Sequence, residues 1–283
     1  MSNYTILLPP SEGKASGGTS DRRWTDLVDD VSANAFCALN PQRAHLLNAL
    51  QRAPGSLDEA AREKLFGVKG DALAAALAAN TALPDGPLLP AIERYTGVMF
   101  GFIGYATLAA ESRAAFDQHV VLFSGLWGLL RSTDLIPDYK LKMDATLPGI
   151  GKVATFWRAP LSAALNPQLT DGVIWDLLPN AHVAAWQPAP NLAPRWQVKF
   201  VERVERGGKQ TYRTVSHWSK ALKGALVRFI CAHDVVDPVA FHDFSHPQGY
   251  RFAPRQSQQG TRGGVLVLSL IHISEPTRLE SKS

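Results

Sequence analysis

The sequence predicts an α/β fold in which a mixed sheet is surrounded by helices, and three observations carry that prediction. Short apolar runs end in turn residues: Tyr4 to Leu8 stops at Pro9-Pro10, and His119 to Phe123 stops at Ser124-Gly125. Such runs suit strands buried within a sheet. Between Trp24 and Asn80, leucine and alanine recur at three- and four-residue spacing, which is the helical period. Strand and helix patterns then alternate to the end of the chain, without an internal repeat, and this favours a mixed α/β architecture over a helical bundle.

Each element follows in order. Pro9-Pro10 leads into a loop from Ser11 to Thr19. The helical region that follows is broken at Asn40-Pro41 and Pro54-Gly55, so it divides into several short helices. After the proline-rich stretch Pro84 to Pro90 come a helical start over Ala91 to Tyr95, a further helical region and the strand at His119 to Phe123. Residues 151 to 165 are expected to be helical. Val173 to Leu178 and His182 to Ala185 are expected to be strands around a turn at Pro179-Asn180. The runs Trp196 to Val204 and Lys209 to Val215 flank Arg206-Gly207-Gly208 and predict a hairpin, because glycine supplies the positive dihedrals of such turns. Ser216 is placed to cap a helix reaching about Cys231, and Gly263 to Leu268 forms a final strand.

With 283 residues, 46% of them hydrophobic, the chain can bury a substantial core. No stretch approaches the roughly 20 apolar residues that span a bilayer, and the first residues lack the plan of a secretory signal. The expectation is a cytoplasmic protein with no membrane partner. Cys37 and Cys231 lie far apart and form no CxxC pair, which suits a reducing compartment. The net charge of +4 is unevenly distributed: nine Lys or Arg face two Glu between Arg195 and Arg228. A local excess of that kind attracts phosphates.

Several segments offer chemistry. LLPPSEGKAS, residues 7 to 16, places Ser11, Glu12 and Lys14 in a loop after a strand, but Leu8 stands where a Walker loop needs glycine. Lys14 is therefore a candidate anion ligand without the nucleotide-hydrolysis motif. AIERYTGVMFGFIGY, residues 91 to 105, leaves Arg94, Tyr95 and Thr96 as candidate surface groups and assigns Phe100 and Phe102 to the core. SGLWGLLRSTDLIPDYKLKM, residues 124 to 143, presents Arg131, Asp134, Tyr139, Lys140 and Lys142 from a rigid support. On a helix over 216 to 229, Lys220, Lys223, Gly224 and Arg228 form a basic stripe beside a small residue, open to a phosphate backbone. That helix and a second one near Val239 would make a helix-hairpin-helix unit, and the GVKG turn in residues 64 to 77 is a weaker candidate for the same motif. Cys231, His233, His242 and His246 cluster, yet their spacing fits no standard zinc pattern, so no metal or other cofactor is assigned.

Taken together, LLPPSEGK, RYTG, SGLWGLLRSTDLIPDYKLKM and the late SxxxKxxKGxxxR series resemble the YaaA peroxide-stress family over nearly the whole chain to about Leu268. The resemblance implies a single domain over residues 1–268 with a basic cleft that binds DNA, chiefly duplex and through phosphates. It also implies a role in limiting oxidative damage and free iron. The resemblance points to Ser11, Lys14, Tyr95, Thr96, Ser124, Arg131, Asp134, Tyr139, Lys140, Lys142, Ser216, Lys220, Lys223 and Arg228; with Arg94 and Gly224 added from the pattern of the residues, the expected DNA contacts are Lys14, Arg94, Tyr95, Thr96, Arg131, Lys140, Lys142, Ser216, Lys220, Lys223, Gly224 and Arg228. Lys14, Ser124, Asp134 and Tyr139 are the candidates for catalysis if the cleft is instead that of an enzyme acting on nucleic acid or a phosphorylated small molecule. Binding without turnover is the leading expectation. Residues 269–283, SLIHISEPTRLESKS, resemble a translated sequencing adaptor and are set aside as a foreign or disordered extension.

Overall fold

The computed structural model describes residues 3–206, 209–214, 219–260 and 262–270. At its centre the strand Tyr4–Leu8 lies between two parallel neighbours, with Ile6 opposite Val120 on one side and Tyr4 opposite Val173 on the other. Those neighbours, Val120–Ser124 and Val173–Asp176, are buried at every residue. This explains why they appear in the sequence as continuous apolar runs rather than alternating ones. Parallel pairing continues outward through Arg195–Arg206 and Gly263–Leu270. Antiparallel strands close the two ends of the sheet, Gly128–Leu130 beside Val120–Ser124 and Tyr250–Phe252 beside Gly263–Leu270. The expected hairpin is present as Arg195–Arg206 paired with Lys209–Thr214. Gly207 and Gly208 lie outside the described residues.

Helices cover the sheet, and their ends follow local chemistry. Asp58 caps Glu59–Phe66 by accepting the Ala61 N–H at 2.8 Å, and Gly67, with φ 65°, ends the helix in the left-handed conformation. After the short turn Gly67 to Lys69 the chain resumes as Gly70–Ala82. The Ser219–His233 helix buries Leu222, Leu226 and Ile230. It also packs tightly on Val98–Ile103, because a Cβ at Gly224 would stand 2.2 Å from the Met99 carbonyl oxygen.

One element differs from the sequence expectation. His182 to Ala185 is not a strand, and the chain instead makes the helical turn Asn180–Val183. The N–H groups of His182 and Val183 reach the Pro179 carbonyl at 2.9 and 3.1 Å. Both edges of the Val173–Asp176 strand are already paired, so a further strand there has no place to bond. The last strand runs through Leu270, with Ser269 opposite Val201. Ser216 and residues 271–283 lie outside the described residues.

The chain leaves Tyr4–Leu8 for the neighbour on one side and later returns to the neighbour on the other. Crevices that bind ligands in parallel sheets form at the carboxyl ends of strands where the order reverses in this way. Here those ends are Leu8, Ser124 and Asp176. No helix among the described residues is long and apolar enough to cross a membrane.

Candidate functional site

A cavity of about 540 Å³ opens at that switch point, with Pro9 to Lys14, Gly97 to Phe100, Tyr139 to Asp144, and Pro179, Ala181 and His182 among its lining residues. Backbone bonds fix its walls. Lys14 bridges to Tyr95, the Thr96 N–H donates to the Gly13 carbonyl at 3.1 Å, and the Ala15 N–H donates to the Arg94 carbonyl at 2.8 Å. The opposite wall approaches closely because Gly125 has no side chain, a Cβ there falling 2.5 Å from the Leu141 carbonyl oxygen.

A buried hydroxyl chain lies beneath the cavity and meets it as a floor at Tyr139. The Trp127 N–H donates to Ser124 Oγ at 3.0 Å, Ser124 Oγ lies 2.7 Å from Tyr139 Oη, and Tyr139 Oη lies 2.7 Å from Tyr95 Oη. Burial pushes the Tyr139 phenol up to about 12 and holds Tyr95 well above the ordinary tyrosine range, so both keep their protons at neutral pH. Above this floor the Lys14 ammonium sits 4.2 Å from the Tyr139 ring centroid. Its hydrogen-bond contacts are long, 3.4 Å to the Ser11 carbonyl and 3.5 Å to that of Glu12. Burial lowers the Lys14 amine to about 8.

Lysines surround the mouth. Lys140 and Lys142 each reach Glu12 at 3.2 Å, one to either carboxylate oxygen. Burial acts to raise the Glu12 carboxyl, but hydrogen bonds from Lys142 and Lys140 leave it below the usual carboxylate range. Lys220 is an exposed lining residue. Lys223, one turn along the same helix, is largely buried and donates to the Leu177 carbonyl at 2.5 Å, and burial lowers its amine to about 8. His182 also lines the cavity, and both its ring nitrogens are buried without a hydrogen-bond partner. Burial holds its imidazole down at about 4.

The structure thus brings Lys14, Tyr95, Ser124, Tyr139, Lys140, Lys142, Lys220 and Lys223 to one place, with Thr96 exposed on the wall beside Gly13. It puts other predicted residues elsewhere. Arg94 is only 1% exposed and donates to the carbonyls of Ala15, Gly17, Pro87 and Ile136. Neither it nor buried Tyr95 is a surface group, because four backbone carbonyls accept from the guanidinium and the Tyr95 hydroxyl is bonded inward to that of Tyr139. Arg131 caps the Gln118 and Val120 carbonyls at the opposite end of the sheet, at 3.0 and 3.2 Å. Asp134 is buried and accepts the Ala35 and Arg131 N–H groups. Burial raises its carboxyl against the lowering effect of those bonds.

Two further residues of the basic stripe serve helix packing. Arg228 donates to the Ile103 and Gly104 carbonyls at 3.1 and 3.2 Å, closing the end of Val98–Ile103, and Gly224 is buried against that same helix. Phe100 is buried as expected, whereas Phe102 is 42% exposed. His182 is not legible as a site residue from the sequence, because its segment carries a strand-like pattern. Pro179-Asn180 as a helix start was the available signal. Among the described residues, no group of three His, Cys, Asp or Glu is placed to hold a metal ion. Cys231 is buried, and burial pushes its thiol up to about 12, while His233, His242 and His246 each contact an aromatic ring.

Comparison with known proteins shows the family. The family model described as peroxide stress protein YaaA matches residues 4–256, which include every strand of the central switch point. A UPF0246 protein of Streptomyces coelicolor is 36% identical over 230 residues, covering 80% of this chain and 82% of its own. A UPF0246 protein of Corynebacterium glutamicum is 28% identical, covering 82% of this chain and 89% of its own. Another, from Lactobacillus delbrueckii, is 30% identical, covering 71% and 80%. With the match running through the first strand, the cavity walls and the late lysine helix, the chain belongs to the YaaA peroxide stress protein family.

Proposed function

We propose that the lysine-ringed cavity is a basic cleft that binds DNA in a peroxide stress response, with the duplex lying across the mouth and its phosphates on Lys140, Lys142 and Lys220. The observation that carries this reading is the placement of Lys140 and Lys142 around a single carboxylate, that of Glu12, which is 64% exposed. A displaceable carboxylate held between two ammonium groups marks a position suited to a phosphate. A base-paired duplex is too wide to enter the cavity, so contacts from the rim are to the backbone and carry little sequence preference. The Gly67 turn lies against Lys142, whose Nζ is 2.9 Å from where a Gly67 Cβ would stand. In this reading the paired helices around that turn are the helix-hairpin-helix element, and their proximity to Lys142 supports it. The role proposed for this binding in the peroxide stress response is to help limit oxidative damage and free iron.

The experiment is fluorescence anisotropy of labelled duplex across a salt series. If phosphate contacts dominate, log affinity falls steeply with log salt, and each lysine removed from the rim lessens the slope by about one. Binding that is insensitive to salt rejects this reading.

A second reading, an enzyme acting on nucleic acid or on a phosphorylated small molecule, is favoured by one observation. Lys14, Tyr139, Ser124 and Tyr95 are more elaborately arranged beneath the cavity than phosphate contact requires.

A further inference from the structure

We propose that the cavity captures an aldehyde carried on a phosphorylated sugar, with Lys14 Nζ as the amine that forms an imine with it. This names the substrate class and the reacting atom for the enzymatic reading and rests on that reading.

The geometry supports it in two ways. The Lys14 amine stacks on Tyr139, and among the described residues no carboxylate lies within 4.0 Å of its Nζ; Glu12 is turned instead to Lys140 and Lys142. A lysine that is neither ion-paired nor exposed loses its proton readily, and the neutral amine is the nucleophile in such chemistry. Burial lowers it to about 8, consistent with that role. Second, the cavity volume of about 540 Å³ admits a sugar phosphate, and Lys140, Lys142 and Lys220 stand where its phosphate would enter.

The step balances without an oxidant or reductant. The amine lone pair attacks the carbonyl carbon, the C=O π pair moves to oxygen, and a proton passes from nitrogen to that oxygen. Protonation of the resulting carbinolamine hydroxyl releases water as the nitrogen lone pair closes the C=N bond. Two sources carry this chemistry: the ring-opened sugar of an abasic position in DNA, turned into the cavity while its flanking phosphates stay on the rim, and a free sugar phosphate.

The test is reductive trapping with sodium borohydride of the full chain, incubated separately with an abasic duplex and with ribose 5-phosphate, followed by peptide mapping. The expected result is a covalent adduct on Lys14 with at least one of the two. The adduct should fall by about tenfold or more in Lys14→Arg, which keeps the charge but cannot form the imine, and persist in Lys152→Arg on an exposed hairpin. An adduct from the duplex alone assigns the DNA source, and one from ribose 5-phosphate alone assigns the free sugar. No adduct with either, or adducts mapping to other lysines, overturns the proposal, and mapping on the unaltered protein decides this even if Lys14→Arg fails to fold. Anisotropy with intact duplex keeps the two readings apart. Binding without trapping overturns the imine alone, and trapping without binding overturns the DNA cleft alone.

Discussion

Lys14 Nζ stands 4.2 Å from the centroid of the Tyr139 ring, and that ring is fixed by hydrogen bonds of 2.7 Å from its hydroxyl to Ser124 and to Tyr95. An aromatic face stabilises a desolvated cation by about 2 kcal/mol. This is less than the hydration lost on burial, so Lys14 is a group the fold tolerates at a cost and that function explains.

That cost has a sign and a pH window. The Lys14 amine falls from 10.5 to about 8 on folding, so the unfolded chain holds more protons between those values and stability rises with pH through them. Below about 8 the full penalty is present, at most about 3 kcal/mol. Lys14→Met should therefore be more stable than the parent by about 1–3 kcal/mol at pH 7 in urea unfolding, with the gain shrinking toward pH 10. An equal gain at both pH values contradicts this.

Glu12 occupies the position assigned to a phosphate. Replacing it as Glu12→Gln frees Lys140 and Lys142 from an exposed ion pair worth about 0.5–1 kcal/mol, so duplex affinity should rise about two- to fivefold at low salt. Weaker binding would show instead that Glu12 helps to hold the site's shape.

Arg94 is expected to act on stability alone. Arg94→Ala leaves the carbonyls of Ala15, Gly17, Pro87 and Ile136 without their buried donor and should cost about 3–5 kcal/mol in urea unfolding. The same measurement on Gly224→Ala should show a loss of about 1–3 kcal/mol, because the added methyl meets the Met99 carbonyl oxygen.

His182 provides a second pH signature. Burial, reinforced by Lys223 and opposed by Asp144, holds its imidazole at about 4, below the ordinary 6.5. The unfolded chain thus takes up the proton first, and stability is lost as pH falls from about 6.5 toward 4. Its ring resonances in an NMR titration should stay those of neutral imidazole at pH 6, and a midpoint near 6.5 would place the ring in water.

The sheet was legible because its central strands are buried at nearly every residue, which leaves largely apolar runs ending at Pro9 and Ser124. The loops at those strand ends could be identified as site candidates for the same reason. The division of labour among the cations could not be read. Arg94, Arg131 and Arg228 have the same charge as the rim lysines, and only the fold determines which carbonyls lack a donor and draw a guanidinium inward. Lys220 and Lys223 show the limit most plainly: they are three residues apart on one helix, yet one is exposed and the other donates to Leu177. His182 was hidden because its apolar neighbours resemble a strand until both edges of Val173–Asp176 are known to be filled.

The measurement that tests the central claim most directly is the salt dependence of duplex binding, compared between Lys142→Ala/Lys220→Ala and Arg131→Ala. The account predicts that the double lysine variant loses about two units of the log–log slope, while Arg131→Ala keeps the parental slope because its guanidinium caps the far end of the sheet. An unchanged slope in the lysine variant, or a loss confined to Arg131→Ala, would contradict a phosphate-binding cleft at this cavity.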